Sequence, residues 1–213
     1  TAHLTLYAVA GTLWLGASRL PRPAAPSAPP AFDYAATERR VSFLEAKETA
    51  DPGACGLRLR ASAHLSRFSE TGDEADLSRA ENAARRSLER RSNDAAKLSL
   101  AHSLIGQHQF AEAEETVAGI SGGEATLAEC QLETGRYDAA THTLSLAQAA
   151  RPTDPNLKAL RARLFEIDGD VERALATYKD ALVEAQKIHS LPPPTRAWFH
   201  AQLGAALARA RKP

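Results

Sequence analysis

The sequence predicts an all-α chain: a solenoid of helix-turn-helix units preceded by a hydrophobic N-terminal helix. Three observations carry this. Ala128, Gly135, Ala140, Leu144 and Ala147 recur 34 residues later as Ala162, Gly169, Ala174, Tyr178 and Ala181, and a fixed period of that size with small residues in helical register marks stacked helical hairpins. No stretch alternates apolar and polar residues for long enough to make a half-buried strand, so none is expected. The 213 residues are 44% hydrophobic, 6% aromatic and 24% charged, a balance that suits one folded domain plus an appendage.

The appendage comes first. Residues His3 to Ser18 carry no Lys, Arg, Asp or Glu, and Arg19 closes the run. As a helix they span roughly 24 Å, short of the ~30 Å hydrocarbon core. Extension over 1–20 with Arg19 snorkelling nearly crosses it. The membrane-facing candidates are Leu4, Leu6, Tyr7, Val9, Leu13, Trp14 and Leu15, Tyr7 and Trp14 being amphipathic rings. A signal-like remnant and a helix buried in a protein partner are the competing readings. The signal reading is weakened because no basic segment precedes the run. Residues 21–32 are the spacer: Pro21 to Pro30 holds five prolines in ten positions, a composition that favours extended polyproline II at ~3.1 Å per residue. The basic residues that follow the helix (Arg19, Arg22, Arg39, Arg40) favour a cytoplasmic body. A short anchor with a Pro/Ala spacer is equally the pattern of an exported, tethered bacterial domain. The periplasmic side is the expectation, with the cytoplasmic side left open.

From residue 33 to 213 the pattern is helical. Asp33 caps a helix to about Ala50, with Tyr34, Val41 and Leu44 on one face, and Asp51-Pro52-Gly53 stops it. Leu57–Ser69 pairs with Ala75–Arg91, Ala95–Gln107 with Ala111–Ile120, Glu124–Glu133 with Tyr137–Ala150, and Pro155–Ile167 with Val171–His189. The triple proline Pro192–Pro194 ends that last helix, and Thr195 caps a final one over 195–211 that closes the array.

The charge pattern narrows the function. Lys plus Arg and Asp plus Glu are 26 each. A chain with no basic surplus lacks what drives generic nucleic-acid binding. Acidic residues cluster between Glu112 and Asp138, and Leu191 to Pro213 carries bases without acids. These are either solvated helix faces or docking patches of opposite sign. Cys55 and Cys130 lie about two repeats apart, so no disulfide is expected, and each reads as a small buried filler. No two of the seven histidines are spaced i, i+4, and CxxC, HExxH and phosphate-loop patterns are absent. Adjacent carboxylates such as Glu114-Glu115 splay to different sides of a helix. The expectation is no catalytic residue, no metal, no cofactor, no nucleic acid and no small-molecule substrate.

Ala128, Gly135, Tyr137, Ala140, Ala147 and Pro152, with Ala162, Gly169, Ala174 and Ala181 in the next unit, resemble the tetratricopeptide repeat (TPR) family in its membrane-anchored bacterial form. In that pattern, small residues let paired helices approach closely, and Gly supplies a positive φ at the turn. Earlier units fit less well: Ala101, Phe110 and Ala113 match, but His108 stands at the Gly position. Trp198, Leu203, Gly204 and Leu207 look like the first helix of an uncompleted repeat. The resemblance implies a concave face built by the first helix of each pair. Counting from its central Ala, that face carries Leu98, His102 and Ile105, then Ala125, Glu129 and Leu132, then Ala159, Arg163 and Glu166, with Trp198 on the last helix. Leu98 and Glu129 break the basic clamp by which some family members hold a chaperone tail. The face suits an extended peptide or a partner helix; an empty groove with the interface elsewhere is the rival. The expected function is a non-catalytic, membrane-tethered scaffold. It would bind other protein subunits of a bacterial membrane or envelope complex, with lipid contacted through the N-terminal helix. The alternative is an exported peptide-binding or assembly-chaperone module acting transiently in secretion, pilus or envelope-complex biogenesis.

Overall fold

The computed structural model describes residues 33–50 and 53–210. The expected membrane helix (1–20) and spacer (21–32) lie outside the described residues, as do Asp51 and Pro52 of the first helix stop. Among the described residues there are ten α-helices, and the expected absence of strands holds for them: α1 Tyr34–Ala50, α2 Ala54–Thr71, α3 Ala75–Arg90, α4 Asp94–Gly106, α5 Phe110–Val117, α6 Glu124–Glu133, α7 Tyr137–Ala150, α8 Pro155–Ile167, α9 Val171–Lys187 and α10 Pro193–Ala210. None of them is long and apolar enough to cross a membrane. Consecutive helices pack as hairpins, and the even-numbered helices α2, α4, α6 and α8 touch in a row, so they form one wall of the solenoid. α10 packs on α9 and also meets α2.

Local chemistry sets the helix ends. The Asn93 side chain accepts from the Ala96 N–H at 2.8 Å, Asp154 from the N–H groups of Asn156 and Leu157, and Asp170 from Arg173. Each satisfies a donor that the first helical turn cannot. Pro155 stands in the first turn of α8, where its missing N–H costs nothing. The same rule corrects the sequence reading near the carboxyl end. α9 stops at Lys187, before the triple proline, and Pro193 and Pro194 begin α10 instead of ending α9. Thr195, expected as a cap, is therefore inside the first turn. Between the hairpin helices Gly135 and Gly169 take φ of 74° and 79°, and His108 adopts φ 60° at the equivalent turn of α4–α5. That backbone region favours glycine, so a β-carbon there is strained.

Two kinds of interior hold the wall. From α4 onward it is small and apolar. Ala128, Ala140 and Leu144 are fully buried, with Leu132, Leu157 and Leu164 in the same cluster, and Ala162, Tyr178, Ala181, Phe199 and Ala206 are in the next. Cys130 fills the cluster around Leu104, Ala113 and Val117. Cys55 does not match its expected buried role, because it lies exposed at the start of α2. Each such alanine lets two helix backbones close up, and the apolar area removed from water drives the packing at about 25 cal/mol per Å2.

The α1–α3 region adds an ionic centre to an apolar cluster of Val41, Leu44 and Ala63. His64 and Asp76 are both fully buried. Asp76 accepts from Arg67 through both carboxylate oxygens, at 2.8 and 2.6 Å, from His64 Nδ1 at 2.9 Å and from Arg79 at 3.2 Å. Burial pushes the Asp76 carboxyl up, but those donors outweigh it and hold the pKa at about 2. Burial lowers the pKa of His64, with Asp76 opposing. Arg67 continues to Glu38 of α1 at 3.0 Å, and Glu48 of α1 pairs with Arg60 of α2 and Arg86 of α3. Nothing periodic in the sequence marks these partners.

Candidate peptide-binding groove

Along the even-numbered wall lies a groove of about 460 Å3, lined from α4 (His102), α6 (Ala125, Thr126, Glu129), α8 (Asn156, Ala159, Leu160, Arg163), α9 (Tyr178) and α10 (Thr195, Trp198, Gln202). Its position follows from helix geometry. His102, Glu129 and Arg163 each stand one residue after the core alanines Ala101, Ala128 and Ala162, and one residue is a turn of about 100°, enough to carry a side chain off the core face. Of the residues expected on the concave face, His102, Ala125, Glu129, Ala159, Arg163 and Trp198 line this groove.

The other four expected residues are placed elsewhere. Leu132 is 3% exposed inside the core with Ala128 and Leu144, because a side chain four residues after a core alanine lies over the same helix face. Ile105, four after Ala101, and Leu98, three before it, pack against their own cluster for that reason. Glu166 is drawn to the end of the groove, where it accepts a hydrogen bond from the Tyr178 hydroxyl at 2.9 Å and a two-pronged contact from Arg209 of α10 at 2.8 and 2.9 Å. It clasps the last helix to α8. Thr126 and Leu160, one turn earlier on the helices carrying Glu129 and Arg163, were missed along with Asn156, Thr195 and Gln202. Extending the face back one turn from Glu129 and Arg163 finds the first two, and forward one turn from Trp198 finds Gln202; Thr195 needed the true start of α10.

The charges in the groove are unequally satisfied. Arg163 is paired with Glu133 at 2.6 Å, an interaction that raises its pKa. His102 stands open to the groove, with Nε2 3.2 Å from the Thr126 hydroxyl, and desolvation lowers its pKa. Glu129 is half-buried, and no described residue bonds to its carboxylate. Desolvation and the nearby Glu133 raise its pKa, with Arg163 opposing. Trp198 is 44% exposed and sits edge-on to Phe199, which is buried and fixes it. No group of three His, Cys, Asp or Glu among the described residues is placed to hold a metal ion. The groove offers one open carboxylate, one exposed indole and several amide and hydroxyl groups, which is binding chemistry.

Residues 124–164, covering α6, α7 and most of α8, match the family described as tetratricopeptide repeat. That segment is similar to TPR sequence. The fold is similar to a chain of the APC/C hetero-tetramer Cut9–Hcn1, with a TM-score of 0.68 and 18% identity over 84% of this chain and 34% of that one. This chain therefore spans about a third of that relative's length, and the likeness is one of fold. YrrB, a TPR protein with an unusual peptide-binding site, aligns over 73% of this chain and 80% of its own at 15% identity and a TM-score of 0.47. BtubC (BKLC) from P. vanneervenii aligns over 83% and 82% at 18% identity and a TM-score of 0.49. No curated protein matches in sequence.

Proposed function

We propose that this chain is a non-catalytic scaffold subunit of a bacterial membrane or envelope complex. Residues 1–20 anchor it, 21–32 space it from the bilayer, and the α-solenoid holds segments of partner subunits in the α4–α6–α8–α10 groove. The groove carries the reading. Its floor is locked by buried alanine and leucine clusters, while its lining presents polar and aromatic side chains. A pre-organised wall with open side chains lowers the entropic cost of ordering a bound segment. The tether rests on the charge-free run from His3 to Ser18. The periplasmic side is part of this proposal, on the strength of the short anchor and Pro/Ala spacer.

Two measurements test it. Purification of the full chain in mild detergent yields partner proteins at fixed stoichiometry, and Asn156→Trp with Gln202→Trp, which fills the groove from exposed or half-exposed positions, loses them while the helical spectrum stays unchanged. Release of the chain from membranes by carbonate without detergent refutes the anchor. Partners that survive groove filling refute the groove as the interface.

A further inference from the structure

We propose that the groove is a socket for a basic side chain, an Arg or Lys presented by an extended segment of a protein partner; this rests on the scaffold reading above and assigns the chemistry of its ligand. The argument begins with charge. Of the ionisable groups lining the groove, Arg163 is neutralised by Glu133 at 2.6 Å, His102 Nε2 lies 3.2 Å from the Thr126 hydroxyl and the Tyr178 hydroxyl donates to Glu166 at 2.9 Å. That leaves Glu129, whose carboxylate has no bonding partner among the described residues. A half-buried carboxylate with no protein donor relies on water, and an incoming cation with N–H donors replaces that water and satisfies both its charge and its lone pairs.

The other walls fit the same guest. Trp198 exposes its indole on the α10 side, Phe199 fixing it from below, and an aromatic face attracts a guanidinium or ammonium while covering its aliphatic stem. Asn156, Thr195 and Gln202 contribute oxygen acceptors on the same lining. Ala125, Ala159 and Leu160 give an apolar floor for the methylenes. An acidic segment meets only repulsion from Glu129, and an aliphatic one leaves that carboxylate dry and unpaired. A groove of about 460 Å3 takes one long side chain with the backbone on either side.

The test uses the full chain in mild detergent carrying Trp14→Phe, so that Trp198 is the sole indole of the two in the sequence. The probes are capped pentapeptides Gly-Ala-X-Ala-Gly with X as Arg, Lys, norleucine or Glu, and free L-arginine amide, titrated by indole fluorescence and calorimetry. The expected result is Arg and Lys peptides binding about tenfold tighter than norleucine, with Glu weakest. Glu129→Gln, which removes an unfavourable charge and so preserves folding, brings Arg, Lys and norleucine to within about twofold of one another. Trp198→Leu, where the ring is solvent-exposed, weakens the basic peptides and leaves the Glu129 dependence in place.

Equal affinity for all four peptides, no binding of any, or an Arg and Lys preference that survives Glu129→Gln overturns the assignment. So does L-arginine amide binding as tightly as the peptide, which would make the ligand a small cation. Co-purification of partners reads the scaffold role separately. Partners retained at fixed stoichiometry and displaced by groove filling, with no cation preference, would sink the socket and spare the scaffold.

Discussion

The α1–α3 region and the α6–α9 region build the same object, two helices folded into a hairpin and stacked on the next, with opposite chemistry. The α6–α9 hairpins close because Ala128, Ala140, Ala162 and Ala174 leave the helix backbones room to approach, and glycines turn the corners. In the α2–α3 hairpin Ala61, Ala80 and Ala84 still pack, yet the centre is the Asp76 carboxylate with His64, Arg67 and Arg79 around it. One interface depends on shape and the other on charges that must all be present. Small-residue packing tolerates loss of one contact in proportion to its area, whereas a buried ion network fails when one member is removed.

The largest way to break the contrast is Asp76→Asn. It leaves Arg67 facing a neutral amide in a buried site and is expected to lower stability by about 3–5 kcal/mol, read from the urea midpoint. A similar value for a swap elsewhere on α3 would dissolve the distinction. Ala162→Leu attacks the other interface. At a position with no exposure the added methylenes force α8 from α9, costing about 1–3 kcal/mol. A neutral effect would show that the repeat is not packed by shape. Acid separates the two chemistries in the wild-type chain. The folded pKa of Asp76, about 2, lies below the ordinary value of 3.8. Its contribution is therefore fully present above pH 3.8 and lost as the pH falls towards 2, about 2 kcal/mol in all. Urea titrations of the wild type and Asp76→Asn should converge over that window, and parallel curves would exclude the carboxylate as the acid-sensitive element. The smallest effects are reciprocal. Gly169→Ala, at φ 79° with open space around it, costs about 1 kcal/mol. His108→Gly, at φ 60°, gains about 0.5 kcal/mol, offset by the entropy glycine loses on folding. Thermal melts of both variants check the pair, and a destabilised His108→Gly would mean that the His108–Phe110 edge contact at 5.7 Å matters more than backbone strain.

That difference also explains what the sequence reveals. The helices α6, α7 and α8 match their expected limits residue for residue, because shape packing repeats and leaves its alanines and glycines at a fixed spacing. The ionic network repeats nowhere, and its partners, twelve residues apart for His64 and Asp76, twenty-nine for Glu38 and Arg67, meet only once the chain has folded. In the groove, the position after each core alanine was legible. The position four after the core alanine was misread for Leu132 and Ile105, since helical spacing returns it to the core side. On α10 Trp198 was legible and Gln202, one turn further on, followed from it; only Thr195 was hidden by reading three prolines as a stop, although a proline is as much at home in the first turn of a helix as after its last.

The contact between α10 and α2 has a kinetic consequence. The other main pairings among the described helices join helices near in sequence, and such contacts form quickly because little chain must be looped. α2 ends at residue 71 and α10 begins at 193, so their meeting encloses nearly the whole domain and is expected last, after the hairpins between them have stacked. The groove takes one wall from α10. In refolding, helical signal should therefore recover first, and the environment of Trp198 should mature in a slower phase. A chain emerging from the ribosome would carry its repeats before it carries its binding site.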